Sequence, residues 1–187
     1  MSAGVPMLTG GDEMLRTVHC NNNPYNLDSS RNWLDRSLAA TNAAFVTFAR
    51  RMRRFRAAHP ALRPADFWSG MDHDGNGLAD VTWYRADATR ADGTYMDDAA
   101  QRFLAWRLDG SEFRDNVLSV YVAYNRDAAQ VAVVLPTPRA GAAWYQAADT
   151  GAWLEGSANS ADPGAEARVN DNRYTLGART VAVLVER

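Results

Sequence analysis

LSVYVAYNRDAAQVAVVLPTP, residues 118–138, reads as two strands and the turns that bound them. Leu118-Ser119-Val120-Tyr121-Val122-Ala123-Tyr124 and Gln130-Val131-Ala132-Val133-Val134-Leu135 are short runs rich in β-branched and aromatic residues. Such residues fit a pleated sheet surface. Asn125-Arg126-Asp127 closes the first run with side chains that bond to their own backbone in turns. Pro136-Thr137-Pro138 closes the second, because proline has no N–H to give to a ladder. The same pattern recurs on either side, at Val81–Tyr84, Phe103–Trp106, Trp144–Tyr145 and Thr180–Val185. Several short strands with no helices between them predict an antiparallel β-sandwich. Residues 152–172 are small and polar and read as a long surface loop.

Toward the N-terminus the period changes. Phe45, Phe48, Ala49, Met52 and Phe55 fall at i, i+3, i+4, i+7 and i+10, one apolar stripe of a helix over Thr41–Ala58. Thr41 or Asn42 is placed to cap its start, and Pro60 and Pro64 end it. Arg50, Arg51, Arg53, Arg54 and Arg56 cover much of the rest of its surface and read as a solvated face. Before the helix, Asp12–Ser30 is a long polar loop containing three consecutive Asn. Loops of that length are usually functional or well braced. Gly4-Val5-Pro6-Met7-Leu8, closed by Gly10-Gly11, reads as a short buried strand. The fold class is α+β, with a domain boundary near Pro64.

Composition narrows the function classes. The chain has 187 residues, 47% hydrophobic and 22% charged, with a formal net charge of −2. That balance gives no general attraction to nucleic acid or to an anionic membrane. All 20 basic residues are Arg, which reads as codon bias in a GC-rich genome. The single Cys20 rules out an internal disulfide and a cysteine-based zinc site. No stretch is long and apolar enough for a membrane span, and no signal-peptide pattern is visible. The compartment is left open with the cytoplasm favoured, and whether Met1 is the biological start is left open too.

One family carries this arrangement. Gly4-Val5-Pro6-Met7-Leu8-Thr9-Gly10-Gly11-Asp12-Glu13, Arg16-Thr17, Cys20-Asn21-Asn22-Asn23-Pro24-Tyr25-Asn26 and Trp33-Leu34 resemble the last barrel strand and following loop of isoamylase-type glycogen debranching enzymes, in the alpha-amylase superfamily. Arg56-Ala57-Ala58-His59-Pro60-Ala61-Leu62-Arg63 is similar to the end of their last barrel helix. Asp80–Tyr84, Tyr121–Asn125 and the closing apolar strand resemble their C-terminal β-sandwich. The resemblance implies that residues 1–63 are the last strand, loop and helix of a (β/α)8 barrel, and that residues 64–187 are the following all-β sandwich. It implies hydrolysis of α-1,6 branch linkages in glycogen or amylopectin by the complete enzyme. The catalytic Asp and Glu of that family sit on earlier barrel strands, so no catalytic residue is assigned here and this chain alone is expected to be inactive.

The resemblance also names candidate substrate-binding residues: Asp12, Glu13, Arg16, Asn21, Asn22, Asn23 and Tyr25. Amide side chains donate to and accept from sugar hydroxyls, and an aromatic ring stacks on a pyranose. The competing reading is that Asp12 or Glu13 braces the loop through backbone N–H groups or Arg16, and that the Asn residues satisfy their own backbone. In Asp72–Asp80, Asp72, Asp74, Asn76, Gly77 and Asp80 match positions 1, 3, 5, 6 and 9 of a calcium loop. Position 12 is Trp83 where Glu is needed, so no metal or cofactor is assigned, with calcium the candidate ion there. An alternative function is a non-enzymatic α-glucan-binding β-sandwich module using Trp68, Trp83, Trp106, Trp144 or Trp153. Anion or nucleic-acid binding by the Arg-rich helix is a third. If the barrel segment lacks its partners, its apolar face is expected to be exposed and to favour self-association.

Overall fold

In the computed structural model, which describes residues 4–187, the strand-patterned runs form antiparallel strands, all but Val131–Val134 in one main sheet. Residues 4–9 join no ladder, and Val5 and Met7 are 95% and 94% exposed. The strand expected at Val5–Leu8 is not formed. A strand exists only through N–H and C=O bonds to a neighbour, and the described residues place none beside this one.

A short helix α1 (Leu38–Thr41) leads into α2 (Ala43–Ala58). Asn42 occupies the junction, yet its side chain makes no cap. Its Nδ2 donates instead to the carbonyl of Met14 at 2.9 Å, tying the polar loop to the helix. The apolar stripe is used unevenly. Phe55 is buried and Met52 packs against the core, whereas Phe45 is 38% exposed. After the helix, His59, Ala61 and Leu62 are buried. His59 Nδ1 lies 2.8 Å from Asp115 Oδ1, and the Ala61 N–H donates to Asp115 Oδ2 at 3.2 Å.

The strands follow in order: β1 (Val81–Tyr84), a helical turn α3 (Gly93–Asp97), β2 (Phe103–Asp109), β3 (Ser119–Asn125), β4 (Val131–Val134), β5 (Trp144–Asp149), β6 (Ala167–Arg168), β7 (Arg173–Leu176) and β8 (Thr180–Glu186). The main sheet runs β1-β2-β3-β8-β5-β6, and β4 pairs with β7 as a separate ribbon. Every pairing is antiparallel. A bulge near Ala147 shifts the register of β5 on β8. The long loop expected over residues 152–172 is more ordered than that: it holds a 3-10 helix at Ala152–Ser157 and the edge strand β6.

Both faces of the sheet are covered. On one, Val81, Leu108, Val120, Val122, Val183 and Val185 pack with Phe55, Ala61 and Leu62. On the other, Tyr121, Ala123, Ala182, Leu184 and Trp144 pack with Val133, Leu135 and Leu176 from the ribbon side. Strands β3 and β8 are therefore buried on both sides, which explains their nearly unbroken apolar sequences. At one end of the sheet the charges are internal. Glu186, fully buried, accepts from Arg107 Nη2 at 2.6 Å and from the Arg139 N–H at 2.5 Å. Arg139 also pairs with the buried Asp109.

Candidate functional site

The loop that carries the candidate residues is built from two tight turns. In the first, Asp12–Met14 forms a single 3-10 turn. Asp12 Oδ2 accepts from the Thr9 N–H at 3.1 Å, and Glu13 Oε2 accepts from the Gly11 N–H at 3.0 Å. Each carboxylate thus holds a backbone amide of its own turn. Gly11 has φ +100°, and a Cβ there would lie 2.7 Å from Cδ of Arg16. Only glycine fits that close approach.

Arg16 does not pair with either acid. Its Nη2 donates to the carbonyl of Asn32 at 3.0 Å. Asn32 in turn donates through Nδ2 to the carbonyls of Pro24 and Leu27. Asn32 therefore joins the Arg16 turn to the second turn, Asn21–Asn26. In that turn Asn21 Oδ1 accepts from the Asn23 N–H at 2.9 Å. Asn22 and Asn23 point to solvent, and Tyr25 is 85% exposed. So Asp12, Glu13 and Asn21 brace backbone, Arg16 links the turns, and Asn22, Asn23 and Tyr25 present open side chains.

Two further features of this loop recur elsewhere among the described residues. Leu15, His19 and Cys20 all have left-handed backbone, with φ of 59°, 53° and 63°. Non-glycine residues in that region are uncommon and cluster where surroundings over-determine the backbone. Arg16 Nε, Ser29 Oγ and Asn32 Oδ1 are buried with no hydrogen-bond partner among the described residues. Buried polar atoms normally find partners.

The Asp72–Asp80 loop is arranged differently from its sequence pattern. Asp80 is buried and turned inward. Its oxygens accept from the N–H groups of Ser69, Gly70 and Val81 at 2.6–2.7 Å and from Ser69 Oγ at 3.0 Å. It is committed to holding the loop on β1. Asp72 accepts from the Gly75 and Gly77 N–H groups, both at 2.8 Å, and these bonds hold its carboxyl below the usual range, the Gly77 bond foremost. The acids whose oxygens converge are Asp72, Asp74 and Glu112, the last from a distant part of the chain. Asx-type bonds account for the turn.

The tryptophans divide plainly. Trp144 is fully buried and donates to the Pro136 carbonyl at 2.8 Å. Trp83 and Trp106 pack together at 5.6 Å, and with Trp68 they lie against the core. Trp33 and Trp153 are the exposed ones, at 67% and 60%.

Comparison with known proteins places this architecture. Residues 80–185, more than half of the chain, match the family described as "Isoamylase, C-terminal". The chain belongs to that family. It is 46% identical to an isoamylase of a Flavobacterium species over its whole length, covering 24% of that protein. It is 41% identical to the isoamylase of Pseudomonas amyloderamosa over 95% of its length, covering 22% of that protein. The isoamylase-family chain thus spans about a quarter of the length of these relatives. Among solved structures, a pullulanase from Bacillus acidopullulyticus superposes with a TM-score of 0.68 at 21% identity, over 97% of this chain and 18% of that one. A pullulanase from Anoxybacillus sp. LM18-11, complexed with maltotetraose, gives 0.64 at 15% identity. Similarity at that identity speaks for the fold, a mostly antiparallel sheet domain with few helices.

Proposed function

We propose that this chain is the C-terminal part of an α-1,6-glucan hydrolase of isoamylase type, acting on glycogen or amylopectin, and that its catalytic carboxylates lie in sequence upstream of it. The observation that carries the reading is the match along 95% of the chain or more to about a quarter of two isoamylases. In the same reading residues 1–63 are the terminal strand, loop and helix of a (β/α)8 barrel and residues 64–187 the sandwich domain. The unpaired Val5–Leu8 segment then finds its ladder partners in earlier barrel strands.

Retaining glycosidases flank the scissile bond with two carboxyl groups roughly 5–5.5 Å apart, one as nucleophile and one as general acid. Asp12 and Glu13 are neighbours in one turn, and each is engaged by a backbone amide of that turn. They do not suit those two roles, and their part is to shape the loop at the C-terminal face of the barrel, where such barrels hold substrate. Asn22, Asn23 and Tyr25 supply hydrogen-bonding and stacking groups, with Asn21 and Arg16 setting their turns. The unpartnered Arg16 Nε, Ser29 Oγ and Asn32 Oδ1 await groups from the rest of the barrel or from substrate.

The test uses the 187-residue chain and the complete protein that contains it. Reducing-end release from amylopectin is expected from the complete protein and not from the chain. Tyr25→Ala in the complete protein is expected to lower kcat/KM by roughly tenfold, the scale of losing one ring contact in a site. Debranching by the isolated chain, abolished by Asp12→Ala or Glu13→Ala, would overturn the reading.

A further inference from the structure

A groove of about 670 Å³ runs between α2 and the segment 152–167, away from the polar loop. Its volume falls within the roughly 300–1,000 Å³ of small-molecule sites. Trp153 lines it and is 60% exposed. An exposed indole is usually mobile, but this one is fixed from beneath. Asp149, fully buried, accepts from the Gly151 N–H at 2.6 Å and from the Tyr174 hydroxyl, which fixes the turn under the indole. Gly151 allows the ring to lie down on the turn: a Cβ there would sit 2.9 Å from Cδ1 and Nε1 of Trp153. Asn159 Nδ2 locks the same turn by donating to the carbonyls of Asp149 and Gly151 at 3.0 and 2.9 Å.

The rest of the groove is lined in large part by alanines, with a few polar groups and no net charge. Arg51 is cancelled by Asp162 at 2.6 Å and also donates to the carbonyls of Ser157 and Ser160. Thr47 and Gln146 line the groove and enter no side-chain hydrogen bond among the described residues. A rigid ring face beside an amide and a hydroxyl, with no net charge, matches a neutral polyhydroxylated ring. The sugar's C–H face covers the indole, and its hydroxyls take the amide.

We propose that Trp153, lying over the Gly151 turn that Asp149 and Asn159 hold, is the stacking platform of a second α-glucan site on the sandwich side of the chain, separate from the Asp12–Tyr25 loop. The choice of α-glucan among neutral sugars rests on the function proposed above. The site would hold an outer chain of a branched polymer while a branch point is cut elsewhere.

The probe is maltoheptaose, titrated into the 187-residue chain by calorimetry, with the complete protein assayed in parallel. Trp153→Ala is expected to raise Kd by about tenfold and Trp153→Phe by only a few-fold. Gln146→Ala, in the same groove, guards against a folding defect and is expected to weaken binding with unchanged far-UV circular dichroism. In the complete protein, Trp153→Ala is expected to raise KM for glycogen while leaving turnover of a short branched oligosaccharide unchanged. Maltoheptaose binding that is absent in the unaltered chain, or equal in Trp153→Ala, would overturn the site and leave the debranching reading intact. Trp153-dependent binding together with a complete protein that cannot debranch amylopectin would do the reverse.

Discussion

Leu62→Ala tests whether the segment before Pro64 is an integral part of the sheet's core. Leu62 is fully buried and shares a core with Phe55, Val81, Leu108, Val120 and Val183. Removing such a side chain costs about 2–5 kcal/mol, through lost transfer energy and the cavity left behind. Leu108, Val120 and Val183 sit on strands fixed by ladders on both sides, so collapse into the cavity is limited and about 3 kcal/mol is expected. With a urea m-value of about 2 kcal/mol/M, the midpoint should fall by roughly 1.5 M. Phe45→Ala is the contrast. Phe45 belongs to the same helical stripe but is 38% exposed, so its midpoint should move by less than about 0.3 M. Tryptophan fluorescence on the 187-residue chain reads both. The same packing puts the start of a protease-resistant core before Phe55, upstream of the boundary that prolines alone suggest. A Leu62→Ala midpoint within about 0.3 M of the unaltered chain would refute the reasoning, because it would mean that residues 55–62 do not share the sheet's core in solution.

Three other outcomes follow from particular groups. Glu186→Ala should destabilise the chain by about 3–5 kcal/mol, since it strands the buried Arg107. The apolar pair Arg107→Met with Glu186→Leu should recover most of that loss, and chemical denaturation of the single and double variants compares them. Asp80→Ala removes the acceptor for three backbone N–H groups and should cost about 3 kcal/mol, read as a fall in Tm of roughly 6–12 °C. Burial holds the Asp149 carboxyl above its ordinary range, so the native state binds that proton more tightly than the unfolded chain. Its contribution is therefore present at acid pH below the unfolded value and is lost as pH rises through the folded one. Asp149→Asn should flatten that part of the stability profile, and urea midpoints measured from acid to neutral pH that keep the same slope in both proteins would count against it.

The parts of the fold that were legible in the sequence are those where burial is two-sided. Strands β3 and β8 lie inside the molecule on both faces, so their apolar runs are long and their ends are marked by turn residues. Strand β7, Arg173-Tyr174-Thr175-Leu176, buries only Leu176 completely and exposes two of its four residues, so it carried no such signal. Strand β6 is two exposed residues held at the edge of β5 and is invisible to composition. The Val5–Leu8 segment shows the opposite failure. Its residues are apolar enough for a strand, but apolarity specifies that a surface will be covered and not by what.

The same limit governs the sites. Asp12, Glu13 and the Asn run were recognisable as turn-forming residues, and they do form turns. Asn32 and Asn42, which hold those turns to each other and to α2, were not, because their acceptors are carbonyls distant in sequence with no side-chain signature. Asp149 escaped for a related reason: nothing local distinguishes an acid that ends a strand from one that holds the turn under a tryptophan. In both places the group expected to touch a ligand is exposed and recognisable by type, while the group that makes it rigid is buried and recognisable only by position. The α2 stripe states the rule from the other direction. Phe45 and Phe55 lie on one apolar stripe, about 80° apart around the helix axis. Phe55 meets the sheet and is buried, whereas Phe45 is 38% exposed. Periodicity therefore reported the need for cover along the whole helix, and the described residues meet that need at Phe55 and leave it unmet at Phe45.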